Sequence, residues 1–317
     1  MSSSLSTASV SYTHLDVYKR QGVVAGLQLM TWGLFKKVVV ADRLAPLVDQ
    51  IYDHHTDHSV LALALGTVLF AFQIYGDFSG YSDIALGSAQ VMGIRMMRNF
   101  NRPYAAVSMP EFWRRWHISL STWFRDYLYI PLGGNRIGFV RQQINILMVF
   151  LISGLWHGAN WTFVIWGLLH GSYMLAALTI DRWKRARNPD PPSSSAGMKV
   201  VGWAVTFGLV NLAWIFFRAP NLSTALAIVG RLMTGWGELA HGGWRLGLPR
   251  DQLLIGLSAI AAMEAIQAVQ AWKPDLRNHI AAQPSWLRWG IYVGGLTCIL
   301  LFGLLYSDNR DFIYFQF

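Results

Sequence analysis

The chain has 317 residues, of which 53% are hydrophobic and only 14% are charged, and its formal net charge is +9 at pH 7. An ordinary soluble domain carries about 25% charged residues, so the composition excludes that class and indicates a polytopic membrane protein. A nucleic-acid-binding role is excluded too, because the basic residues occupy short loops and the ends of apolar runs, as the positive-inside rule requires. The single cysteine, Cys298, excludes a disulfide framework and a thiolate metal site.

The first 21 residues are polar and rich in serine, unlike the rest of the chain. They lack the apolar segment of a signal peptide. Residues 10–21 (VSYTHLDVYKRQ) resemble the translation of two sequencing-adapter ends joined head to head. We therefore expect residues 1–21 to be a non-native assembly artefact, with native sequence beginning near Gly22 and a truncated membrane domain over 22–317.

Long apolar stretches predict an all-α membrane fold. They are, in chain order, Val23–Val40, Val60–Tyr75 continuing to Met97, Ile144–Ile180, Val200–Phe217, Leu253–Ala271 and Trp286–Tyr306. Lys36 and Lys37 interrupt the first stretch and predict that its end meets a basic surface. Gly76 and Gly80 have the small-xxx-small spacing that lets two helices approach closely.

The segment 95–141 differs in kind, because arginines alternate in it with large aromatic side chains. Its apolar side chains recur at helical spacing at Trp113, Trp116, Leu120, Trp123 and Tyr127. This pattern predicts one amphipathic helix lying in the membrane interface, with its aromatic face towards lipid.

The stretch Ile144–Ile180 carries a histidine, His157, between two tryptophans in the motif SGLWHGANW. Each half is short for a full crossing, which takes about 20 residues. Basic residues flank both ends, which predicts a hairpin that enters and leaves on the same side, with His157 near its tip. We expect Gly158 and Ala159 to open space beside this imidazole, and Asn160 to give it a polar partner.

An ionisable side chain inside a membrane is costly and usually functional, and histidine suits proton transfer near neutral pH. We therefore interpret His157 as a general base, ahead of a structural histidine hydrogen-bonded between helices. His117 is locally typical of a solvated interfacial residue, and the functional alternative is that it lines the reaction path. Arg114, Arg115 and Arg125 either anchor the cytoplasmic face or bind the phosphates of an anionic donor.

Three acidic residues, Asp77, Asp83 and Glu264, lie in or near apolar runs, where they predict either a cation path or a structural pairing with an arginine. The tract Asp53–His58 has a composition that can bind metal, but a water-exposed loop is favoured and no metal is expected. His170 is expected to pack within its helix.

Four motifs resemble the membrane-bound O-acyltransferase superfamily: YGDFSG at Tyr75–Gly80, WRRWHISLS at Trp113–Ser121, WFRDYLYIPLGG at Trp123–Gly134, and WHG at Trp156–Gly158. The chain is most similar to the branch of alginate O-acetyltransferase membrane subunits. Further stretches similar to that branch are FKKVVVADRL at Phe35–Leu44, WIFFRA at Trp214–Ala219 and FIYFQF at Phe312–Phe317. The resemblance covers residues 22–317, and members of the family have several more amino-terminal helices.

The resemblance implies a helical bundle around a through-membrane tunnel, in the bacterial inner membrane, with no bound cofactor. An acyl thioester, acetyl-CoA in this branch, enters from the cytoplasm. The acceptor is an exported polysaccharide or a periplasmic partner, either an SGNH-type acetyltransferase or another acetyl-carrier protein. The family's invariant histidine maps onto His157, and its second conserved polar position maps onto His117.

The sequence therefore predicts a membrane O-acetyltransferase with His157 as base and His117 assisting. Three alternatives stay open. One is transfer of D-alanyl or another acyl group to a cell-wall polymer. The second is an ion-coupled transporter that uses Asp77, Asp83, Glu264 and His157. The third is a non-catalytic scaffold for polysaccharide export.

Overall fold

The computed structural model describes residues 8–188, 195–241, 243–273 and 275–305, and within residues 8–20 it describes the backbone alone. Over these ranges the chain is helical and contains no β-strand. Most of the expected artefact at residues 1–21 and all of the terminal segment Phe312–Phe317 therefore lie outside the described side chains.

Twelve α-helices lie within the described residues. From α1 to α12 they are Ala8–Leu34, Asp42–Asp53, Val60–Val91, Met109–Arg115, Ile118–Phe124, Phe139–His157, Trp161–Arg187, Ala196–Arg218, Leu222–Thr234, Arg250–Trp272, Leu276–Ala281 and Ser285–Ile299. Three short π-helical segments are Phe35–Ala41, Arg125–Tyr129 and Leu300–Leu304, and two 3-10 turns are Pro103–Ala105 and Gly235–His241.

Seven helical stretches of the described chain are long and apolar enough to cross a membrane. They are Gln21–Asp53, Val60–Val91, Phe139–His157, Trp161–Arg187, Ala196–Arg218, Arg250–Trp272 and Ser285–Gly303. Lipid tails cannot hydrogen-bond to the backbone, whereas a helix pairs its own N–H and C=O groups. Apolar runs of this length therefore fold as helices in a membrane. The predicted all-α polytopic architecture is confirmed.

The predicted hairpin is present as α6 and α7, joined by residues 158–160. The expectation that each arm is short was wrong, because α6 has 19 residues and α7 has 27. Both helices extend past the apolar run into basic segments. The Lys and Arg side chains in the last turn of α7 interact favourably with the negative end of the helix dipole. The two helices pack closely at Gly154 and Gly167, where an added Cβ would collide with the facing backbone.

The chain forms two compact units. Among the described residues, the first unit comprises 8–43, 74–98 and 255–305, and the second comprises 44–73 and 99–254.

In the first unit, glycines allow the first span and the second half of α3 to touch. A Cβ on Gly80 would lie 2.7 Å from the carbonyl oxygen of Gly33, and one on Gly76 would lie 3.0 Å from that of Lys36. Such distances leave no room for a side chain, so the close approach predicted from the glycine spacing is confirmed.

The lysines of the first unit do not mark a basic surface, which corrects the prediction from the sequence. Lys36 is 4% exposed, and its Nζ lies 2.7 Å from Oδ2 of Asp83. Lys37 pairs with both Asp77 and Asp42. The carboxylates thus have the structural role that the sequence allowed, but with lysines of the preceding helix instead of an arginine. Pairing inside the protein removes the cost of two isolated buried charges.

In the second unit, Tyr104 links helices α3 and α8. Its hydroxyl donates to the carbonyl of Ala71 in α3 at 2.6 Å and accepts from the indole Nε1 of Trp214 in α8 at 3.2 Å. Its backbone carbonyl accepts from Nε1 of Trp203 at 2.8 Å. These bonds fix the segment before α4 against α8. The chain then continues through α4 to His117.

Candidate active site

His157 is the last residue of α6 and lies among aromatic rings. Its imidazole makes edge-on contacts with Trp156, Trp166 and Phe217, at centroid distances of 4.9, 5.1 and 5.3 Å. The residue as a whole is intermediate in exposure, and its ring atom Nδ1 is buried. The imidazole is thus held largely away from bulk water.

Gly158 and Asn160, which follow His157, have roles other than those predicted. A Cβ on Gly158 would lie 2.6 Å from the ring of Phe163, so the glycine admits that ring and does not open space beside the histidine. Asn160 is the N-cap of α7: its Oδ1 accepts from the amide of Thr162 at 3.1 Å, and its Nδ2 donates to the carbonyl of Pro220 at 3.3 Å. This amide positions the turn and the end of α8.

The predicted single amphipathic helix is broken at His117. α4 ends at Arg115 and α5 begins at Ile118, while His117 has the left-handed conformation, with φ 41° and ψ 57°. The aromatic face also divides, since Trp116 is 2% exposed and Trp123 is 53% exposed. The break at His117 thus separates the buried Trp116, just after α4, from the exposed Trp123 in α5.

Asn99 holds the backbone on either side of this break. Its carbonyl oxygen accepts from the amide of Ile118 at 3.0 Å, and its side-chain Oδ1 accepts from the amide of Ser119 at 3.1 Å. Nearby, the amide of Asn101 donates to the carbonyl of Arg115 at 3.0 Å. A left-handed residue other than glycine is costly, so these bonds stabilise a conformation that the local sequence disfavours. Sequence reasoning missed Asn99, whose acceptors lie about 20 residues from their donors.

His117 is buried, whereas the sequence favoured a solvated position in the membrane interface. The side chain is 8% exposed, and burial lowers the pKa of His117 to about 4. Its ring lies 6.4 Å from that of Trp156, which also contacts His157. The structure therefore brings both predicted histidines to the indole of Trp156, and burial disfavours the protonated form of His117.

A third histidine, His170 in α7, is completely buried, as the sequence predicted for a packed residue. Its ring contacts Trp166 at 4.9 Å and Trp113 at 5.0 Å. Among the described residues, neither ring nitrogen of His170 has a hydrogen-bond partner. Trp166 thus contacts both His157 and His170, and sequence reasoning did not single out this indole, whereas it placed Trp113 on an interfacial aromatic face.

The three candidate arginines differ in their partners. Arg115 pairs with Glu111 and also donates to the carbonyl of Asn101 at 3.3 Å. Arg125 lies 2.7 Å from Asp126, and both side chains are largely exposed. Arg114 is exposed and makes no ion pair within the ranges that the structure describes. Of the three, Arg114 has the charge most available to an anionic ligand.

No group of three His, Cys, Asp or Glu side chains in the described part of the chain could hold a metal ion. The second unit contains all three histidines of the site, whereas Asp77 and Asp83 belong to the first unit and are paired there with lysines. The site is an arrangement of imidazoles and indoles, which suits proton transfer by a neutral base.

Known membrane proteins match this chain over much of its length. The profile of the MBOAT, or membrane-bound O-acyltransferase, family matches residues 5–217. A peptidoglycan O-acetyltransferase of Helicobacter pylori is 44% identical over 209 residues, which are 66% of this chain and 38% of that protein. A probable alginate O-acetylase AlgI of Pseudomonas fluorescens is 41% identical over 255 residues, 80% of this chain and 48% of the relative.

A teichoic acid D-alanyltransferase of Streptococcus thermophilus is 31% identical over 163 residues, 47% of this chain and 39% of that protein. The chain thus spans less than half the length of each of these relatives. The family profile covers the YGDFSG, WRRWHISLS and WHG motifs together with both histidines that the structure brings to Trp156. This chain belongs to the membrane-bound O-acyltransferase family.

Proposed function

We propose that the chain is part of a bacterial inner-membrane O-acetyltransferase. In this proposal it moves an acetyl group from a cytoplasmic thioester, acetyl-CoA, to a hydroxyl group on an exported polysaccharide or on a periplasmic acetyl-carrier protein. The observation that carries the proposal is the position of His157, partly exposed at the end of a membrane helix and enclosed by aromatic rings.

The reaction needs a base, because an alcohol is a poor nucleophile until its proton is removed. His157 accepts the proton of the acceptor hydroxyl as its oxygen attacks the thioester carbonyl. The tetrahedral intermediate then collapses, the carbon–sulfur bond breaks, and the thiolate leaves with a proton from the imidazolium. His117, kept neutral by its burial, lines the same site beside Trp156.

The ends of the hairpin support the direction of transfer. Basic residues precede α6 and close α7, which assigns that end to the cytoplasm by the positive-inside rule. His157 lies at the other end of α6, where an exported acceptor arrives. Arg114, with Arg115 and Arg125, would position the phosphates of the donor.

The relatives favour acetyl over other acyl groups. Those described as O-acetyltransferase or O-acetylase are 41–46% identical to this chain, whereas those described as teichoic acid D-alanyltransferases are 29–31% identical. D-alanyl transfer to a cell-wall polymer is therefore the second candidate.

The test compares His157→Gln with the wild-type chain in membrane vesicles supplied with labelled acetyl-CoA and the acceptor. We expect transfer to fall about 100- to 10,000-fold, the contribution of a positioned general base. Glutamine keeps the size and a hydrogen-bonding end, so the protein level and thermal stability should change little. Undiminished transfer by His157→Gln would overturn the proposal, and transfer of D-alanyl but not acetyl groups would select the second candidate.

A further inference from the structure

Four neighbouring side chains of the second unit carry buried polar atoms that have no hydrogen-bond partner among the described residues. These atoms are both ring nitrogens of His170, the indole Nε1 of Trp113 and of Trp166, and the hydroxyl oxygen of Tyr173. The ring of His170 lies 4.9 Å from that of Trp166, 5.0 Å from that of Trp113 and 5.9 Å from that of Tyr173. We call these four side chains the His170 cluster, and the proposed reaction uses none of their polar atoms.

His170 lies well inside a membrane-spanning helix. It follows Trp161, the first residue of α7, by about 14 Å along the helix axis, and its side chain is 0% exposed. The rings of Phe112 and Phe150 stack on it at 6.1 and 6.4 Å. Burying an imidazole without hydrogen bonds is unfavourable, whereas a phenylalanine ring would pack among these neighbours without that cost. The imidazole therefore indicates a hydrogen-bonding partner inside the cluster.

The polar atoms of the His170 cluster suit a small neutral molecule. An indole N–H only donates, whereas the hydroxyl of Tyr173 and a neutral imidazole each donate and accept. With His170 neutral the four side chains carry no charge, so an ion bound among them would lack a counter-charge. Water both donates and accepts, and a buried water typically makes about three hydrogen bonds to polar groups that are otherwise unpaired. The composition of the cluster thus matches water.

Trp166 connects the His170 cluster to the proposed base. Its indole contacts the ring of His170 at 4.9 Å and that of His157 at 5.1 Å. A hydrogen bond from the indole N–H to a bound water fixes the orientation of the ring that packs against His157. Reacting groups need neighbours whose own conformations are locked in this way.

We propose that the His170 cluster binds an ordered internal water molecule, and that His170 is a positioning residue for His157, acting through this water and Trp166. The water site stands on the unpaired atoms of the cluster alone. The positioning role rests on the proposed function, in which His157 is the base. The two parts are therefore measured separately, the first without any acyl donor.

The first experiment is X-ray radiolytic footprinting of the full chain in lipid nanodiscs. A brief pulse converts water to hydroxyl radicals, which oxidise the side chains beside a bound water even where bulk water does not reach, and mass spectrometry measures the oxidation of each tryptophan. The reference is Trp214, which is 1% exposed like Trp166 and stacks on it at 6.1 Å, but whose Nε1 donates to the hydroxyl of Tyr104 at 3.2 Å. We expect Trp166 to be oxidised at least about fivefold faster than Trp214, because only Trp166 belongs to the hydrated cluster.

The second experiment uses variants of the cluster. His170→Phe keeps an aromatic ring but removes both nitrogens, so oxidation of Trp166 should fall to about the rate of Trp214. Acyl transfer should become about tenfold slower in kcat with little change in KM, because the variant disturbs the base and leaves substrate binding intact. His170→Gln keeps a donor and an acceptor and should retain most of both signals. The matched control is His54→Phe, the same change at an exposed histidine, which should alter neither.

Oxidation of Trp166 no faster than that of Trp214, or oxidation that His170→Phe does not reduce, would overturn the water site. Reduced oxidation with undiminished transfer by His170→Phe would overturn the positioning role. If His170→Phe does not fold, Tyr173→Phe removes a single oxygen of the cluster and should also reduce the oxidation of Trp166; unchanged oxidation would then count against the site. His157→Gln should leave the oxidation of Trp166 unchanged, so failure of the proposed reaction is distinguished from failure of this inference.

Discussion

In the first unit the ammonium groups of Lys36 and Lys37 meet carboxylates within 3.0 Å, whereas in the second unit the imidazoles of His157 and His170 lie among aromatic rings. In the first arrangement each ammonium group faces a carboxylate, so opposite charges meet. In the second, the imidazoles pack against the rings of Trp166 and other aromatic residues. The difference indicates that ion pairs contribute to the packing of the first unit, whereas aromatic contacts surround the histidines of the second.

The largest expected effect on stability comes from breaking a charge pair of the first unit. Lys36 also donates to the hydroxyl of Ser79 at 3.0 Å and lies between the rings of Trp32 and Tyr75. Lys36→Met leaves Asp83 without this ammonium group, so we expect a loss of about 3–5 kcal/mol in the free energy of unfolding. Unfolding in mixed detergent micelles, followed by circular dichroism, measures it.

Two controls separate burial from charge. The exposed pair Arg185–Asp181 has the same signs, and Arg185→Met should cost about 0.5 kcal/mol or less. The double variant Lys36→Met with Asp83→Leu removes both charges and should recover most of the lost stability. Equal losses for Lys36→Met and Arg185→Met would contradict the structural role assigned to the buried pair.

A smaller effect is expected from acid acting on His117 in the second unit. Its pKa is lowered to about 4 by burial, whereas an unfolded histidine titrates near 6.5. Between these values the unfolded state binds a proton that the folded state does not, so stability falls as pH falls from about 6.5 to 4 and is unaffected above that range. We expect a loss of about 1–2 kcal/mol between pH 7 and pH 5 from this residue.

The measurement is the difference in unfolding free energy between pH 7 and pH 5 for the wild type and for His117→Gln. Carboxylates titrate equally in both proteins, so the difference between the two isolates the histidine. An identical pH dependence in the two proteins would show that His117 titrates as it does in the unfolded chain.

The smallest expected effect concerns the hydrogen bonds that hold His117. Asn99→Ala removes the oxygen that accepts from the amide of Ser119, a bond similar to a helix cap worth about 0.5–2 kcal/mol. We expect about tenfold slower acyl transfer, because the imidazole loses its fixed position beside Trp156. Asn99→Asp keeps an acceptor oxygen and should retain most of the activity.

Rescue by aspartate distinguishes positioning from general loss of structure. On a His117→Ala background, Asn99→Ala should lower transfer no further, since the group that it positions is absent. Additive losses in the double variant would mean that Asn99 acts through some other residue.

Several features of the site could be predicted from local sequence. The hairpin was predicted from the basic residues that flank the apolar run. His157 was selected because an ionisable side chain within such a run is rare. Gly76 and Gly80 were predicted to allow helix contact from their spacing, and the added-Cβ distances confirm it. Asn160, by contrast, was predicted to be a polar partner of His157 because it is close in sequence. In the structure its side chain caps the N-terminus of α7.

The sequence by itself determined the membrane class, the spans and the candidate base, because hydropathy, charge flanks and residue spacing act locally along the chain. Only the tertiary structure decided that Lys36 pairs with Asp83, that Asn99 fixes a left-handed His117, and that Trp156 contacts both histidines. Each of these depends on the register between segments that are about 20 to 50 residues apart. Helical periodicity predicts which side chains share one face of a helix. Only the packing of the helices determines which face of another helix they contact.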